Sequence, residues 1–159
     1  MAKEKKEILD QMLKSIFSGA RVVVLTGAGV STASGISDFR GENGLYTSGI
    51  DAEEILSRKY FRENPELFYQ FYTQNMMIEG YEPNLIHQTL AALEKAGYID
   101  GIITQNIDKL HQKAGSKNVV EIHGDGSKYY CTKCEKEYSG EEYLKNKYHI
   151  RTIDALINF

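Results

Sequence analysis

Arg21-Val22-Val23-Val24-Leu25-Thr26 is a short, mostly β-branched run, and it opens directly into a segment in which positions 27, 29, 35, 41, 44 and 49 are all glycine. The run reads as the best strand in the chain. So many glycines in the loop behind it point to backbone that must come close to something. Residues 101–104 read as a second strand and residues 119–122 as a third. Ahead of the first strand, Ile8, Leu9, Met12, Leu13, Ile16 and Phe17 recur at helical spacing, and Gly19 suits the helix end. Further helices are expected from about residue 52, from residue 65 toward Gly80 with Asn64 as cap, over residues 84–96, and over residues 108–114. Around residues 129–138 the pattern becomes a cysteine-bearing knuckle, and Ser139 with Glu142 forms a capping box for a last short helix. Strands alternating with helices predict an α/β unit with a parallel sheet.

In such sheets, ligands bind at the carboxyl ends of the strands. Three polar clusters fall at those ends, at residues 27–41, residues 105–108 and His123. In the first, Gly27-Ala28-Gly29 resembles a loop whose N–H groups hold a pyrophosphate. The dinucleotide fingerprint would place a third glycine where Thr32 stands. A tight strand-to-helix turn with no ligand is the alternative. Within Ser37-Asp38-Phe39-Arg40-Gly41, Arg40 suits a phosphate and Phe39 an apolar wall, against an Asp-initiated turn with a solvated arginine. Asn106 and Asp108, in Thr104-Gln105-Asn106-Ile107-Asp108, complement a primary amide, or they simply cap the following helix. His123 suits a general base, or a structural hydrogen bond. Cys131 and Cys134 are two thiols at the spacing of half a tetrahedral zinc site, or a redox pair, or two unligated reduced cysteines.

The chain has 159 residues, 42% hydrophobic and 26% charged, a balance that permits a real core and excludes wholesale disorder. Nineteen Lys and Arg against 22 Asp and Glu leave a formal charge of −3, which speaks against a nucleic-acid partner. The aliphatic run at residues 22–25 is far short of the ~20 residues that span a membrane. Glu4, Glu7 and Asp10 near the N-terminus fit neither a secretory signal nor a mitochondrial presequence. Two cysteines make no disulfide framework, so a cytoplasmic location is expected.

Taken together, Gly27-Ala28-Gly29-Val30-Ser31-Thr32-Ala33-Ser34-Gly35-Ile36-Ser37-Asp38-Phe39-Arg40-Gly41, Thr104-Gln105-Asn106-Ile107-Asp108, His123-Gly124 and Cys131-x-x-Cys134 resemble the sirtuin family, the NAD-dependent protein lysine deacylases, in its bacterial branch. The similarity runs from about residue 21 to about residue 146. The resemblance implies the N-terminal part of a Rossmann-like parallel sheet with helices, over residues 1–125. Half of a small zinc-ribbon module would follow at residues 126–147, then a divergent tail at residues 148–159. It implies NAD as cofactor, zinc in a site incomplete in this chain, and an acetylated protein lysine as substrate.

By the same resemblance, Gly27, Ala28, Gly29 and Thr32 line the NAD site, and Asp38, Phe39 and Arg40 belong to the cofactor loop. Gln105 contacts the nicotinamide ribose. Asn106, Ile107 and Asp108 form the nicotinamide pocket, and His123 is the general base. The acyl group passes from lysine to ADP-ribose with release of nicotinamide. Ser37 stands where the family usually has proline, and Asp125 where many members have serine or asparagine. Succinyl-selective members carry Tyr-x-x-Arg. Here Tyr69 is followed by Tyr72, so acetyl is the expected acyl group.

The family's second Cys-x-x-Cys pair is expected near residues 155–158, where the sequence reads Ala155-Leu156-Ile157-Asn158. The resemblance therefore implies a truncated chain. Its rival reading is an inactive fragment that acts at most as a binding module.

Overall fold

The computed structural model describes residues 2–39, 44, 52–77, 80–131, 134–146 and 152–153. The opening helix, α1 (Ala2–Phe17), follows from the spacing of its apolar residues. That stripe stays largely in solvent, with Ile8, Leu9, Met12, Leu13 and Phe17 all exposed. Phe17 meets Tyr98 edge to face at 5.8 Å. The β-branched run forms β1 (Val23–Thr26). Two short 3₁₀ turns, Ala28–Val30 and Thr32–Ser34, then carry the glycine loop away from the strand end.

Three helices form the wall opposite the loop: α2 (Ala52–Ile55), α3 (Arg58–Glu63) and α4 (Pro65–Asn75). Ser57 caps α3 by accepting from the Tyr60 N–H at 3.1 Å. Pro65 begins α4 as expected. Asn64 precedes it without a side-chain cap, and the helix stops at Asn75, well before Gly80. Apolar side chains from this wall build the main core, in which Ala52, Leu56, Phe68, Phe71 and Tyr72 are buried with Ile107 and Tyr129. Phe68 stacks on Tyr72 and meets Phe61 edge to face at 5.1 Å.

The chain returns through α5 (Leu85–Lys95), β2 (Gly101–Thr104), α6 (Leu110–Lys113) and β3 (Val119–Glu121). Asn84 caps α5 as the sequence predicts. The α6 helix starts two residues later than expected, because Lys109 adopts a left-handed conformation with φ +60°. The strands order β1-β2-β3, all parallel, with Leu25 opposite Ile103 and Thr26 opposite Thr104. This is the expected parallel α/β sheet, with the three loops at one edge.

A second, antiparallel sheet pairs β4 (Tyr129–Tyr130) with β5 (Glu137–Tyr138) around the cysteines. Ser139 and Glu142 exchange the expected capping bonds at α7 (Gly140–Asn146). β6 (Thr152–Ile153) adds to the other side of β4. Part of the tail expected to be divergent thus joins the small sheet. No helix among the described residues is long and apolar enough to cross a membrane.

Candidate active site

The three parallel strands end side by side, so the loops that leave them converge. A pocket of about 710 Å³ opens there. Ala28, Ser31, Gly35, Ile36, Ser37 and Phe39 come to it from the first loop, Gln105, Asn106, Ile107 and Asp108 from the second, and His123 from the third. Leu56, Met76 and Met77 close the apolar side. Of the expected residues, Ala28, Phe39, Gln105, Asn106, Ile107, Asp108 and His123 therefore share one cavity. Gly27, Gly29, Thr32 and Asp38 stand in the same loop without lining it. The Thr32 hydroxyl is turned to its own turn and donates to the Gly29 carbonyl at 3.0 Å. Arg40 lies outside the described residues.

Gly27 and Gly29 fit an approaching phosphate group better than they fit the needs of the protein. A Cβ at either position would meet no atom within 4 Å among the described residues. Neither has a positive φ. Nothing in the fold demands glycine there, whereas a backbone left bare lets a ligand reach its N–H groups. Gly126 is the contrasting case. A Cβ there would lie 2.9 Å from the Ile107 carbonyl oxygen, and the Gly126 N–H donates to that oxygen at 3.1 Å. Its lack of a side chain lets the pocket floor sit against the loop after β3.

Beneath the pocket lies a buried polar chain. Ser31 Oγ donates to Asp108 Oδ2 at 2.6 Å and accepts from Asn106 Nδ2 at 3.1 Å. The other Asp108 oxygen accepts from the Leu110 N–H at 3.0 Å. One Asp108 oxygen thus serves the turn that leads into α6, and the other is held by Ser31 beneath the pocket. His87 and His111 lie behind Ser31, both buried, with ring centroids 4.8 Å apart. His87 Nε2 is 3.4 Å from Ser31 Oγ, and His111 Nε2 is 3.0 Å from Thr26 Oγ1. Burial lowers the pKa of both rings below the usual imidazole value. The Asp108 charge opposes this at both, and the neighbouring His87 adds to it at His111.

The loop that carries His123 is clamped from both sides. Lys109 Nζ pairs with Glu121 Oε2 at 2.5 Å and with Asp125 Oδ2 at 2.9 Å, so one ammonium brackets the histidine. Burial pushes Lys109 down, but hydrogen bonds and charge from the two carboxylates outweigh it and raise its pKa. Burial likewise pushes Asp125 up. Two hydrogen bonds from Ser127 and the contact with Lys109 outweigh that and hold it below the usual carboxylate range.

The cysteine hairpin is built as a turn. The Cys131 N–H donates to the Lys136 carbonyl at 3.0 Å, and the Glu135 N–H donates to the Cys131 carbonyl at 2.8 Å. No disulfide joins Cys131 to Cys134. Two thiols do not fill a four-ligand zinc site. No group of three or more His, Cys, Asp or Glu side chains gathers around a metal position among the described residues.

Sequence reasoning assigned no role to Ser31, His87, His111 or the Lys109–Asp125 pair. A signal existed for His87, which stands three residues after the Asn84 cap, where a capping box places its second partner. His111 carried none.

Fold and site together define an α/β unit with a cavity at the carboxyl edge of a parallel sheet. The chain belongs to the Sir2 family, whose model matches residues 27–154. The match extends past residue 146, where the sequence resemblance was expected to end. An NAD-dependent protein deacetylase of Thermotoga maritima is 46% identical over 142 residues, covering 88% of this chain and 55% of the relative. A Sir2 structure with a deacetylated p53 peptide and 3′-O-acetyl ADP ribose superposes with a TM-score of 0.81 at 43% identity, over 87% of this chain and 56% of that one. A Sir2 structure with p53 peptide and NAD⁺ gives 0.76 at 42% identity, over 87% and 55%. The chain thus spans little more than half the length of these relatives.

Proposed function

We propose that this chain forms the nicotinamide end of an NAD-dependent protein lysine deacetylase site. The observation that carries the reading is the convergence of Ala28 and Ser31, Gln105 to Asp108, and His123 on one cavity at the ends of three parallel strands. NAD, when bound, supplies both the leaving group and the acyl acceptor. Asn106 and Asp108 present donor and acceptor groups that complement a carboxamide, and Ile107 gives its ring an apolar floor. Gln105, exposed at the rim, suits the adjoining ribose. His123 takes a proton from a ribose hydroxyl as general base. The relative holding a deacetylated peptide beside an acetyl ADP ribose supports transfer of the acyl group to ADP-ribose.

Acetyl is the acyl group favoured, because Tyr72 is buried in the aromatic core, where the acidic-acyl enzymes are expected to present arginine. Residues 1–125 form the NAD unit in this reading. Cys131 and Cys134 of residues 126–147 would give half of a zinc site, which stays incomplete in this chain. The cytoplasm is its proposed location, which cell fractionation tests.

A second reading, a half-site that binds without turning over, is favoured by the outward face of the sheet, where Val23, Leu25 and Val120 are exposed. Nicotinamide release from NAD in the presence of an acetyl-lysine peptide separates the two. Little or no release by the 159-residue chain is expected, because orientation of the two reactants is worth roughly 7–11 kcal/mol of barrier. Release at the rate of a full-length relative would remove the half-site reading. Binding of neither NAD nor nicotinamide would remove both. Metal analysis after dialysis against a chelator should find no tightly held zinc. One equivalent per monomer would show that the remaining ligands are present.

A further inference from the structure

The buried histidine behind the pocket has its protonation pattern dictated by a helix cap. The Asn84 backbone N–H can only donate, and it meets His87 Nδ1 at 3.3 Å. Nδ1 is therefore the acceptor, and the neutral ring carries its proton on Nε2. That proton faces Ser31 Oγ across 3.4 Å. The hydroxyl also receives the Asn106 amide at 3.1 Å, so both of its acceptor positions are taken. Its own proton has one remaining direction, toward Asp108 Oδ2 at 2.6 Å.

We propose that His87 is a positioning residue, which fixes the Ser31 hydroxyl through its Nε2–H and thereby sets Asn106 and Asp108 in the orientation that receives a carboxamide. This rests on the reading of the pocket as the nicotinamide end of the site. His87 does not line the cavity and acts only through Ser31. The same ring closes the N-terminus of α5 with one nitrogen and orders the pocket with the other.

Two substitutions separate those duties. His87→Asn keeps an oxygen where Nδ1 accepts from Asn84 but is too short to reach Ser31. His87→Gln carries an amide donor out to the Nε2 position and leaves the Asn84 N–H unserved. The experiment uses the intact chain, with nicotinamide as probe, calorimetry for affinity, thermal unfolding for stability and NMR of the ring nitrogens for the tautomer.

His87 is expected as the Nε2–H tautomer, and an Nδ1–H ring overturns the proposal. His87→Asn should bind nicotinamide roughly five- to tenfold more weakly, the loss of one buried hydrogen bond. His87→Gln should recover affinity while unfolding at a lower temperature. Affinities that merely follow stability overturn the positioning role. Should His87→Asn not fold, Ser31→Ala leaves the cap intact and should lose affinity with the His87 tautomer unchanged. Undiminished affinity there also overturns the proposal. A parent chain that shows the Nε2–H tautomer yet binds no nicotinamide refutes the carboxamide reading of the pocket, and the positioning role falls with it. A parent chain that binds, with His87→Asn binding equally, refutes the positioning role alone.

Discussion

On the inner face of the parallel sheet Ile102 is 1% exposed, and Thr26 and Thr104 are sealed at 5% and 2%. On the outer face, Leu25 is 66% exposed and Val120 58%. The register puts these residues on opposite sides of one ribbon, since Leu25, Ile103 and Val120 align across the three strands and Thr26 aligns with Thr104. On the inner face, Thr26 bonds His111 of the buried histidine pair. The outer face ends in solvent among the described residues, as does the apolar stripe of α1. Parallel sheets are normally covered on both faces. Contacts between the strand-end loops and the buried histidines seal the inner face, whereas the outer face presents apolar side chains with no cover among the described residues.

The sharpest way to break that contrast is to truncate the same kind of side chain on each face. Ile102→Ala should cost about 2–5 kcal/mol, the range for a buried aliphatic. Leu25→Ala should stay within about 0.5 kcal/mol. Denaturant unfolding measures both, and equal losses would mean that the outer face is packed in solution.

Next comes acid. The two buried histidines have pKa values lowered in the folded chain, so the unfolded chain binds their protons first. Stability should hold above about pH 6.5 and fall as pH drops from there toward the lowered values. The slope should reach about 1.4 kcal/mol per pH unit for each ring. A flat profile over that window would show that the rings take up protons in the fold as readily as in the unfolded chain.

Ser31→Ala removes a hydroxyl that serves Asn106, Asp108 and His87, and should cost about 1–3 kcal/mol. No outer-face change of similar size should match it in the same unfolding assay. Lys109→Met should cost less, about 1 kcal/mol, because the ammonium is partly solvated. The Asp125 share of that difference should vanish as pH falls through its lowered pKa, since protonation removes the partner in the parent chain as well. A difference that persists at low pH would place the effect in packing of the lysine stem instead.

Strands, order of elements and site loops were legible because they rest on local composition. β-branched runs, glycines at strand ends and the Asn84 cap each carry their own physics. The helix after β2 was misplaced because Asp108 looks like its cap, whereas the chain first reverses at Lys109, a residue with no turn signature. The end of α4 was misplaced for the opposite reason. Gly80 looked like the stop, yet the helix had already ended at Asn75. Periodicity identified α1 but says only that a helix has an apolar side, never whether a partner lies on it. Ser31, His87 and His111 are 24 to 80 positions apart in sequence, and only the parallel order of the strands brings them together.

Gly126 has a consequence of a mechanical kind. Its N–H grips the Ile107 carbonyl, and its own carbonyl accepts from the Tyr72 hydroxyl at 3.5 Å. Tyr129, three residues on, is buried in the cluster that holds both Ile107 and Tyr72. The cysteine hairpin and the cavity floor are therefore riveted to one plate. Any displacement of the hairpin would carry Tyr129 with it and tilt the surface on which a ligand would lie.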